Sequence, residues 1–398
     1  MLARPRGVAE WIVAVAGALA MVAVGAISPG DALGSVASQW NVLLFFLGLM
    51  LTAVVAEQSG VLALITSGAF RLARGRQSTL FVVVCLLCIG VTATLSNDAT
   101  ILLLTPLILR TVTAIGAPVL PYAFACAYLA NASSLILPIA NPANVIVLGA
   151  SPMSLALYLR HVAGPAAAAT LATIVALAIA HRRAMRAPLA VGAVTLEHPA
   201  DARLFGFALG GVLATYLVAL ELQIPIGPVA LAGGAILLVA LVVRHDLRPY
   251  ALIEEIEWGV FPFFAGLVVI VAAAARAGLI DVASTTLEQL GTHVLGPALV
   301  GVTTALAANA MNNLPAAVMA GAALQRASVA DPTLTSAVLI GIDVGPNFTT
   351  LGSIATLLWL MQLRRHGIAM SQLEYVRASA LPSAAALAAA LLTLVALR

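Results

Sequence analysis

The sequence predicts an all-α polytopic membrane protein built from two inverted repeats, and three observations carry that prediction. Of its 398 residues 62% are hydrophobic and only 9% charged, where a soluble protein carries about a quarter charged. Apolar stretches of roughly 18 residues recur from end to end, each long enough to cross a hydrocarbon layer of ~30 Å. They lack the period-two alternation of barrel strands. Two shorter apolar segments, one in each half, break at a polar tip. Residues 79–95 run into Ser96-Asn97-Asp98 and resume at Ala99, and residues 295–310 run into Met311-Asn312-Asn313 and resume at Leu314. Hydrocarbon offers freed backbone groups no partner, so a polar break at membrane depth survives only inside protein or beside water.

In chain order the candidate spans are 11–28, 40–56, 119–140 with a continuation to about 150, 161–181, 204–222, 226–243, 258–275, an interrupted 333–361, and 379–397. Re-entrant helical hairpins are expected at 79–114 and 295–325. The first run, behind Arg4 and Arg6, exceeds the 7–15 residues of a signal-peptide core and reads as an uncleaved span. Trp40-Asn-Val-Leu-Leu-Phe-Phe-Leu-Gly48 matches Trp258-Gly-Val-Phe-Pro-Phe-Phe-Ala-Gly266 at an offset of 218, which Gly60 and Gly278 keep. The polar tips follow at an offset of 215, and then a Pro-containing break in each half. That order is what an inverted repeat leaves behind. The expected organisation is a first repeat over 1–180 with a broken helix at 119–150, a polar cytoplasmic linker over 181–203, and a connecting helix with the second repeat over 204–398.

Net charge is +3 and every basic residue is an arginine. The arginines gather between apolar runs (Arg71, Arg74, Arg76; Arg182, Arg183, Arg186; Arg244, Arg248; Arg364, Arg365), as the positive-inside rule requires. The pattern excludes a nucleic-acid partner, whose signature is a basic patch. One threading puts these clusters inside the cell, the amino terminus cytoplasmic, the first hairpin entering from the cytoplasm and the second from outside. The carboxy terminus then falls outside a multi-pass inner (plasma) membrane protein. Arg160, Arg276 and Arg326 fit that threading less well.

Four segments bring polar groups to depth: Ser96-Asn97-Asp98, Asn141-Pro142-Ala143-Asn144, Asn312-Asn313 followed by Pro315, and Asp343-Val-Gly345-Pro346-Asn347-Phe-Thr349-Thr350. Pro142, Gly345 and Pro346 interrupt helices and free carbonyls and amides. Half-helix ends then offer partial charges that suit oxyanions, neutral polyols and small cations. Ser96, Asn97, Asn141, Asn144, Asn312, Asn313, Asn347 and Thr349 are the candidate substrate-binding residues. Asp98 and Asp343 are the candidate proton-coupling acids, because an aspartate at a helix centre costs ~2.5–3.5 kcal/mol on the insertion scale. The plainer account of each is a carboxylate capping a half-helix. Cys85 and Cys88 share a helix face and with Cys126 could make a soft thiol site, although free cysteine is also an ordinary buried small residue. Glu254, Glu255 and Glu257 read as a solvated interfacial face. No HExxH motif or paired metal-ligand spacing occurs, so no metal or cofactor is expected, and no Ser/His pair suggests an enzyme. No GxxxxGK[ST] loop occurs, so energy must come from an ion gradient or a separate subunit.

At these residues the chain resembles the arsenite efflux permease family (ArsB) of the ArsB/NhaD ion transporter superfamily. The resemblance rests on Met311-Asn-Asn-Leu-Pro315, on Ile340-Gly-Ile-Asp-Val-Gly-Pro-Asn-Phe-Thr-Thr-Leu-Gly-Ser-Ile-Ala-Thr-Leu-Leu-Trp-Leu360, on Ser96-Asn97-Asp98, and on Ala132-Ser-Ser-Leu-Ile-Leu-Pro-Ile-Ala-Asn-Pro-Ala-Asn144. It implies export of As(III) and Sb(III) in exchange for protons, in some organisms with a separate ATPase subunit. It also implies a scaffold and an elevator-like transport domain around the hairpins. Asn347 stands where the family often has a lysine, Thr350 where it often has proline, and Pro142 replaces a non-proline residue. The alternative within the superfamily is a Na⁺/H⁺ antiporter or a Na⁺-coupled small-anion carrier. No arginine appears at either tip or break, which counts against a multiply charged carboxylate.

Overall fold

A computed structural model describes residues 9–73, 75–186, 200–327 and 331–398. Residues 187–199, most of the expected linker, lie outside the described residues. The first half begins with α1 (Glu10–Ala23), which stops short of residue 28 because Gly25 turns the chain at φ 75°. Ser28 then caps α2 (Pro29–Ala37), and Pro29 opens it. Next come α3 (Trp40–Gln58), α4 (Val61–Leu72) and α5 (Gln77–Thr94). After the first polar tip follow α6 (Asn97–Ala99), a π-helical turn over Thr100–Leu104, and α7 (Thr105–Ala114). The half closes with α8 (Val119–Ala132), two 3₁₀ turns, α9 (Pro142–Ala150) and α10 (Leu155–Ala180).

The second half runs α11 (Ala202–Glu221), α12 (Ile226–His245), α13 (Pro249–Glu254), α14 (Val260–Arg276), α15 (Leu279–Gly291), α16 (Gly296–Met311), α17 (Asn313–Ala327) and α18 (Pro332–Val344). A 3₁₀ turn over Gly345–Phe348 leads to α19 (Ile354–Arg365) and α20 (Gln372–Ala396). Among the described residues seven helices are long and apolar enough to cross a membrane, and no strand occurs. The all-helical class expected from composition is what the chain adopts.

Several elements depart from the expected boundaries. Helices α4 and α15 have no counterpart among the expected spans, since each is too short to register as a membrane-crossing run. Each follows a glycine in the left-handed region, Gly60 at φ 74° and Gly278 at φ 83°, where a side chain would be strained. The turn at Gly278 bends α15 by 78° from α14. Helix α20 starts seven residues before the expected 379, because Ser371 and Glu374 form a capping box that stabilises a polar first turn.

Packing exchanges partners between the halves. Helix α1 lies along α14, and α3 lies along α12. A Cβ added at Gly48 of α3 would meet the Ala230 carbonyl carbon at 2.2 Å, and one at Gly266 of α14 would meet that of Ala14 at 2.6 Å. Without a hydrophobic drive between helices in lipid, such close backbone approach is what holds them together. The half-helices after the breaks do the same: α9 docks on α17, and α19 docks on the π turn and α8. A closed ring of aromatics, Phe124, Tyr128, Tyr375 and Trp359, joins α8 to α19 and α20 with centroid separations of 5.3–5.9 Å. The Trp359 indole donates to the Ala123 carbonyl at 2.8 Å.

Helix ends collect on two faces. On one, Gln58 at the end of α3 donates to Glu255 at 2.8 Å, and Trp11 lies beside Gly259 at the entry to α14. On the other, Arg276 pairs with Asp31 at 2.6 Å, Arg326 with Asp281 at 2.8 Å, and Arg398 with Asp331 at 3.8 Å. The Ser28 hydroxyl and the Arg276 guanidinium hold the Asp31 carboxyl below the usual carboxylate range. Arg276 and Arg326, which fit the charge rule poorly as a sequence, are thus charge-compensated.

The helix crossings predict that Gly48→Ala and Gly266→Ala each destabilise the detergent-solubilised protein, by about 1–3 kcal/mol as overpacking does. Gly90→Ala, where nothing lies within 4 Å of the added carbon, is expected to leave the thermal midpoint unchanged. A thermal scan of the three variants checks this.

Candidate functional site

Each polar tip is an elaborated helix start. At the first, Ser96 is extended, its hydroxyl accepts from the Ala99 amide at 3.0 Å, and the Asn97 carbonyl oxygen accepts from the Asp98 amide at 2.9 Å. Pro106 follows and has no N–H to donate, so the helix widens into a π turn just after the tip. The Thr105 hydroxyl takes up the Thr100 carbonyl at 2.8 Å. At the second tip Asn312 adopts φ 82° and ψ 154°, a strained state for a residue other than glycine that costs about 1–3 kcal/mol. Its amide donates to the Leu351 carbonyl at 3.2 Å and its carbonyl accepts from the Leu314 amide at 3.3 Å. The Asn313 amide donates to the Gly352 carbonyl at 2.9 Å, so the strained tip is held by the break at 349–353.

The two breaks meet each other. Asn141 caps α9 by accepting from the Ala143 amide at 3.0 Å, with Pro142 at the first helical position. The same side chain donates to Asp343 Oδ1 at 2.6 Å, and Asn144 donates to Asp343 Oδ2 at 2.9 Å and to the Ser134 carbonyl at 3.1 Å. Asp343 and Asn144 are 0% exposed and Asn141 is 1% exposed. A carboxylate from the second half is therefore bound by two amides of the first half, at the N-terminus of α9 where the helix dipole favours negative charge. Beyond it, Gly345 packs so tightly on Ala305 that a Cβ would fall 2.5 Å from its methyl. Pro346 then starts the 3₁₀ turn that breaks α18 from α19.

A second string of amides runs behind the first tip. Asn97 donates to Asn131 at 3.5 Å, Asn131 donates to Asn347 at 2.8 Å, and Asn347 donates to the Tyr128 carbonyl at 3.2 Å. Behind the second tip, Asn309 donates to the Gly345 carbonyl at 2.7 Å and accepts from the Thr349 hydroxyl at 2.9 Å.

A cavity of about 710 Å³ brings these pieces together. Ser96, Asn97 and Asp98 of the first tip, Asn313 of the second, Asn141 and Pro142 of one break and Ser353 of the other all line it. Its apolar wall comes from α3 and α14, with Phe46, Leu49 and Phe263. Glu57, Glu255, Glu257 and Arg365 line it towards the face that carries Trp11 and Gln58. The remaining sequence candidates, Asn144, Asn312, Asp343, Gly345, Pro346, Asn347 and Thr349, do not line the cavity but stand behind its wall. Ser353 lies in the second break itself, just after Gly352, but was not among the expected site residues, and Asn131 and Asn309 were not signalled by any Pro/Gly break or hairpin turn. For Asn131 and Asn309 the available clue is an amide inside an apolar run.

The cysteines are buried, with Cys88 and Cys126 sulfurs 3.6 Å apart, and among the described residues no group of three or more His, Cys, Asp or Glu is placed to hold a metal ion. Glu57 and Arg276 each stand at the C-terminal end of their helix, α3 and α14, but on the two different faces, and Arg276 is committed to Asp31.

Interrupted helices meeting around one polar cavity within an apolar bundle define a membrane transporter. Residues 1–341 match the citrate transporter family (CitMHS), and the chain belongs to that family. It is 28% identical over 388 residues to the arsenical pump membrane protein of Escherichia coli K12, covering 94% of this chain and 90% of that one. The protein of the same description from Yersinia enterocolitica is likewise 28% identical, over 389 residues and the same shares of each chain. The resemblance to arsenite efflux permeases seen at the two breaks thus extends along nearly the whole chain. In fold it is similar to the YdaH transporter of Alcanivorax borkumensis, with a TM-score of 0.64 at 16% identity over 97% of this chain and 98% of that one.

Removing the carboxylate at the crossing leaves one N–H on each of two buried amides without its acceptor, at about 1–3 kcal/mol each, although Asn144 keeps its bond to the Ser134 carbonyl. Asp343→Ala is therefore expected to lower the thermal midpoint far more than Asp98→Ala, since Asp98 accepts no bond from another helix. Parallel thermal scans in detergent check the difference.

Proposed function

We propose that this chain exports trivalent arsenic and antimony, as small neutral trihydroxides, in exchange for protons. The observation that carries the reading is the deep part of the cavity, where the tips meet: amides, hydroxyls and the Asp98 carboxylate, with no cationic side chain at tip or break, while Glu57, Glu255, Glu257 and Arg365 line it towards its mouth. A neutral polyhydroxyl solute is bound well by such groups, whereas a multiply charged carboxylate would gain from an arginine fork. The long match to proteins described as arsenical pumps supports the same cargo.

In this reading Ser96, Asn97, Asn141 and Asn313 contact the cargo, and Asn144, Asn312, Asn347 and Thr349 hold those groups in place. Asp98 lines the cavity and exchanges a proton with it directly. Asp343 communicates with the cavity through the Asn141 amide, which turns when the carboxyl is protonated and one acceptor becomes a donor. Two membrane acids, Asp98 on the cavity wall and Asp343 one hydrogen bond behind it, are functional candidates by default.

The equivalent order of elements in the two halves, with partners exchanged between them, supports two inverted repeats over 1–180 and 204–398. Movement of the hairpin-bearing body against α1, α3, α12 and α14 then gives alternating access. The arginine-rich face is assigned to the cytoplasm of an inner membrane, with the amino terminus inside and the carboxy terminus outside. The cavity accordingly opens inward, as an exporter loading its cargo requires. Energy is drawn from the proton gradient, with a separate ATPase subunit an addition some relatives of this kind use.

Expression in an arsenite-sensitive bacterial strain is expected to raise the tolerated arsenite concentration, and equal sensitivity with and without the gene refutes the cargo. Asp98→Asn and Asp343→Asn are expected to reach the membrane at wild-type levels yet lose arsenite-dependent proton movement in everted vesicles, read with a ΔpH-sensitive dye. Wild-type coupling in both variants refutes their role. Dye dequenching by Na⁺ or citrate without arsenite supports the sodium- or carboxylate-coupled alternative instead.

A further inference from the structure

We infer that Asn131 is a positioning residue: it ties the tip of the first hairpin to the helix break of the second half and so keeps the Asn97 amide turned to the cargo. The inference rests on the export reading above and assigns a role to a side chain that does not line the cavity.

Asn131 lies in the last turn of α8 and is 1% exposed. Its carbonyl oxygen accepts from Asn97 Nδ2 at 3.5 Å, and its own nitrogen donates to Asn347 Oδ1 at 2.8 Å. Asn347 passes the polarity on by donating to the Tyr128 carbonyl at 3.2 Å. All three amides therefore point the same way, each donating to the next. The direction is imposed at the far end, where a backbone carbonyl can only accept. At the near end the Asn97 carbonyl is committed to the Asp98 amide at 2.9 Å. Asn97 thus has one hydrogen on Nδ2 aimed at Asn131 and a second left for the cavity it lines.

The bond lengths say which link yields. The inner bond, Asn131 to Asn347, is short; the outer one, Asn97 to Asn131, is at the limit of hydrogen-bonding distance. A cargo oxygen takes the second Asn97 hydrogen, and any adjustment of the tip falls on the outer link and leaves the inner one undisturbed. Position 131 must supply an acceptor towards Asn97 and a donor towards Asn347 from one short side chain. An amide does both, and so does a protonated carboxyl group. An ionised carboxylate has acceptors only and would oppose the Asn347 carbonyl oxygen across the short link.

That requirement makes the test specific. Wild type, Asn131→Leu and Asn131→Asp are purified and reconstituted in vesicles, and arsenite flux is measured from pH 5.5 to 8.5 under one fixed imposed pH difference. Asn131→Leu is expected to raise KM about tenfold with kcat little changed, the loss of one hydrogen bond's orientation of the cargo. Asn131→Asp is expected to approach wild type at the acid end and to fall to the leucine level at the alkaline end, with its thermal midpoint changing far less than its KM. A cargo-independent arm places Leu102→Cys, on the cavity wall, in wild-type and Asn131→Leu backgrounds and follows maleimide labelling, the three native cysteines being buried. A loosened tip is expected to label several-fold faster. Equal labelling together with wild-type KM in Asn131→Leu overturns the positioning role. So does an Asn131→Asp whose flux and thermal midpoint fall together at every pH. Absence of arsenite flux in the wild type overturns the cargo reading instead and leaves the labelling arm to decide the role of Asn131.

Discussion

Every helix interruption in this chain leaves amides and carbonyls without their own-helix partners at a depth where lipid supplies none, and the architecture follows from satisfying them. The clearest instance is the crossing of the two breaks. Asp343 is lodged against the N-terminus of α9 and accepts from Asn141 and Asn144, which come from the other half of the chain. Neither partner is tolerable alone: the carboxylate without donors is a buried charge, and the amides without an acceptor are buried orphans. Satisfying one break with the polar groups of the other forces the two halves into register. It also brings both hairpin tips to the same cavity, because the tips are anchored to those breaks through Asn97–Asn131–Asn347 and through Asn313 to Gly352.

A polar interior of this kind is useful for transport only if something outside it stays still. In the proposed reading, the paired helices α1 with α14 and α3 with α12 are that frame. Its contacts include backbone against backbone at Gly48 and Gly266, beside apolar side chains such as Leu51, Val54 and Leu237 packed between α3 and α12. The hairpin-bearing body packs differently, through aromatics around Trp359 and through half-helices docked on the opposite hairpin. Movement of one body against the other, as proposed, would slide along the apolar wall of Phe46, Leu49 and Phe263 and leave the amide networks intact.

The sequence disclosed the breaks more readily than what connects them. Pro142, Pro346 and the two Asn-bearing tips were legible because proline and uncapped polar residues inside apolar runs have a single structural meaning. The shared Trp-Phe-Phe-Gly positions likewise marked α3 and α14. Helices α4 and α15 were not legible, since an interfacial helix of 12 or 13 residues lacks a span's length and its amphipathic face resembles a loop. Asn131 and Asn309 were missed for a different reason. Each sits in the last turn of its helix, α8 or α16, within an apolar run, and only the fold reveals that its side chain reaches a break distant in sequence. Arg276 and Arg326 misled the charge rule because their neutralising partners, Asp31 and Asp281, are set by helix packing and not by adjacency.

Charge placement along the cavity bears on what it can carry. Family membership alone admits a tricarboxylate, and Arg365 does line the cavity. That arginine, however, stands at the end of α19 among Glu57, Glu255 and Glu257, so the mouth is net acidic and would repel an approaching polyanion. Deeper in, the tips add another carboxylate at Asp98 and otherwise only neutral amides and hydroxyls. A polyanion would have to shed its hydration against groups that return a few neutral hydrogen bonds, and buried charge without a counter-charge is not stable on those terms. The neutral trihydroxide proposed as cargo would meet no such barrier: it could donate to the carbonyls and the carboxylate and accept from the amides. The substitution of Asn347 for a residue often cationic in the resembled family points the same way. At 1% exposure and bonded to Asn131, it keeps the interior behind the first tip free of positive charge.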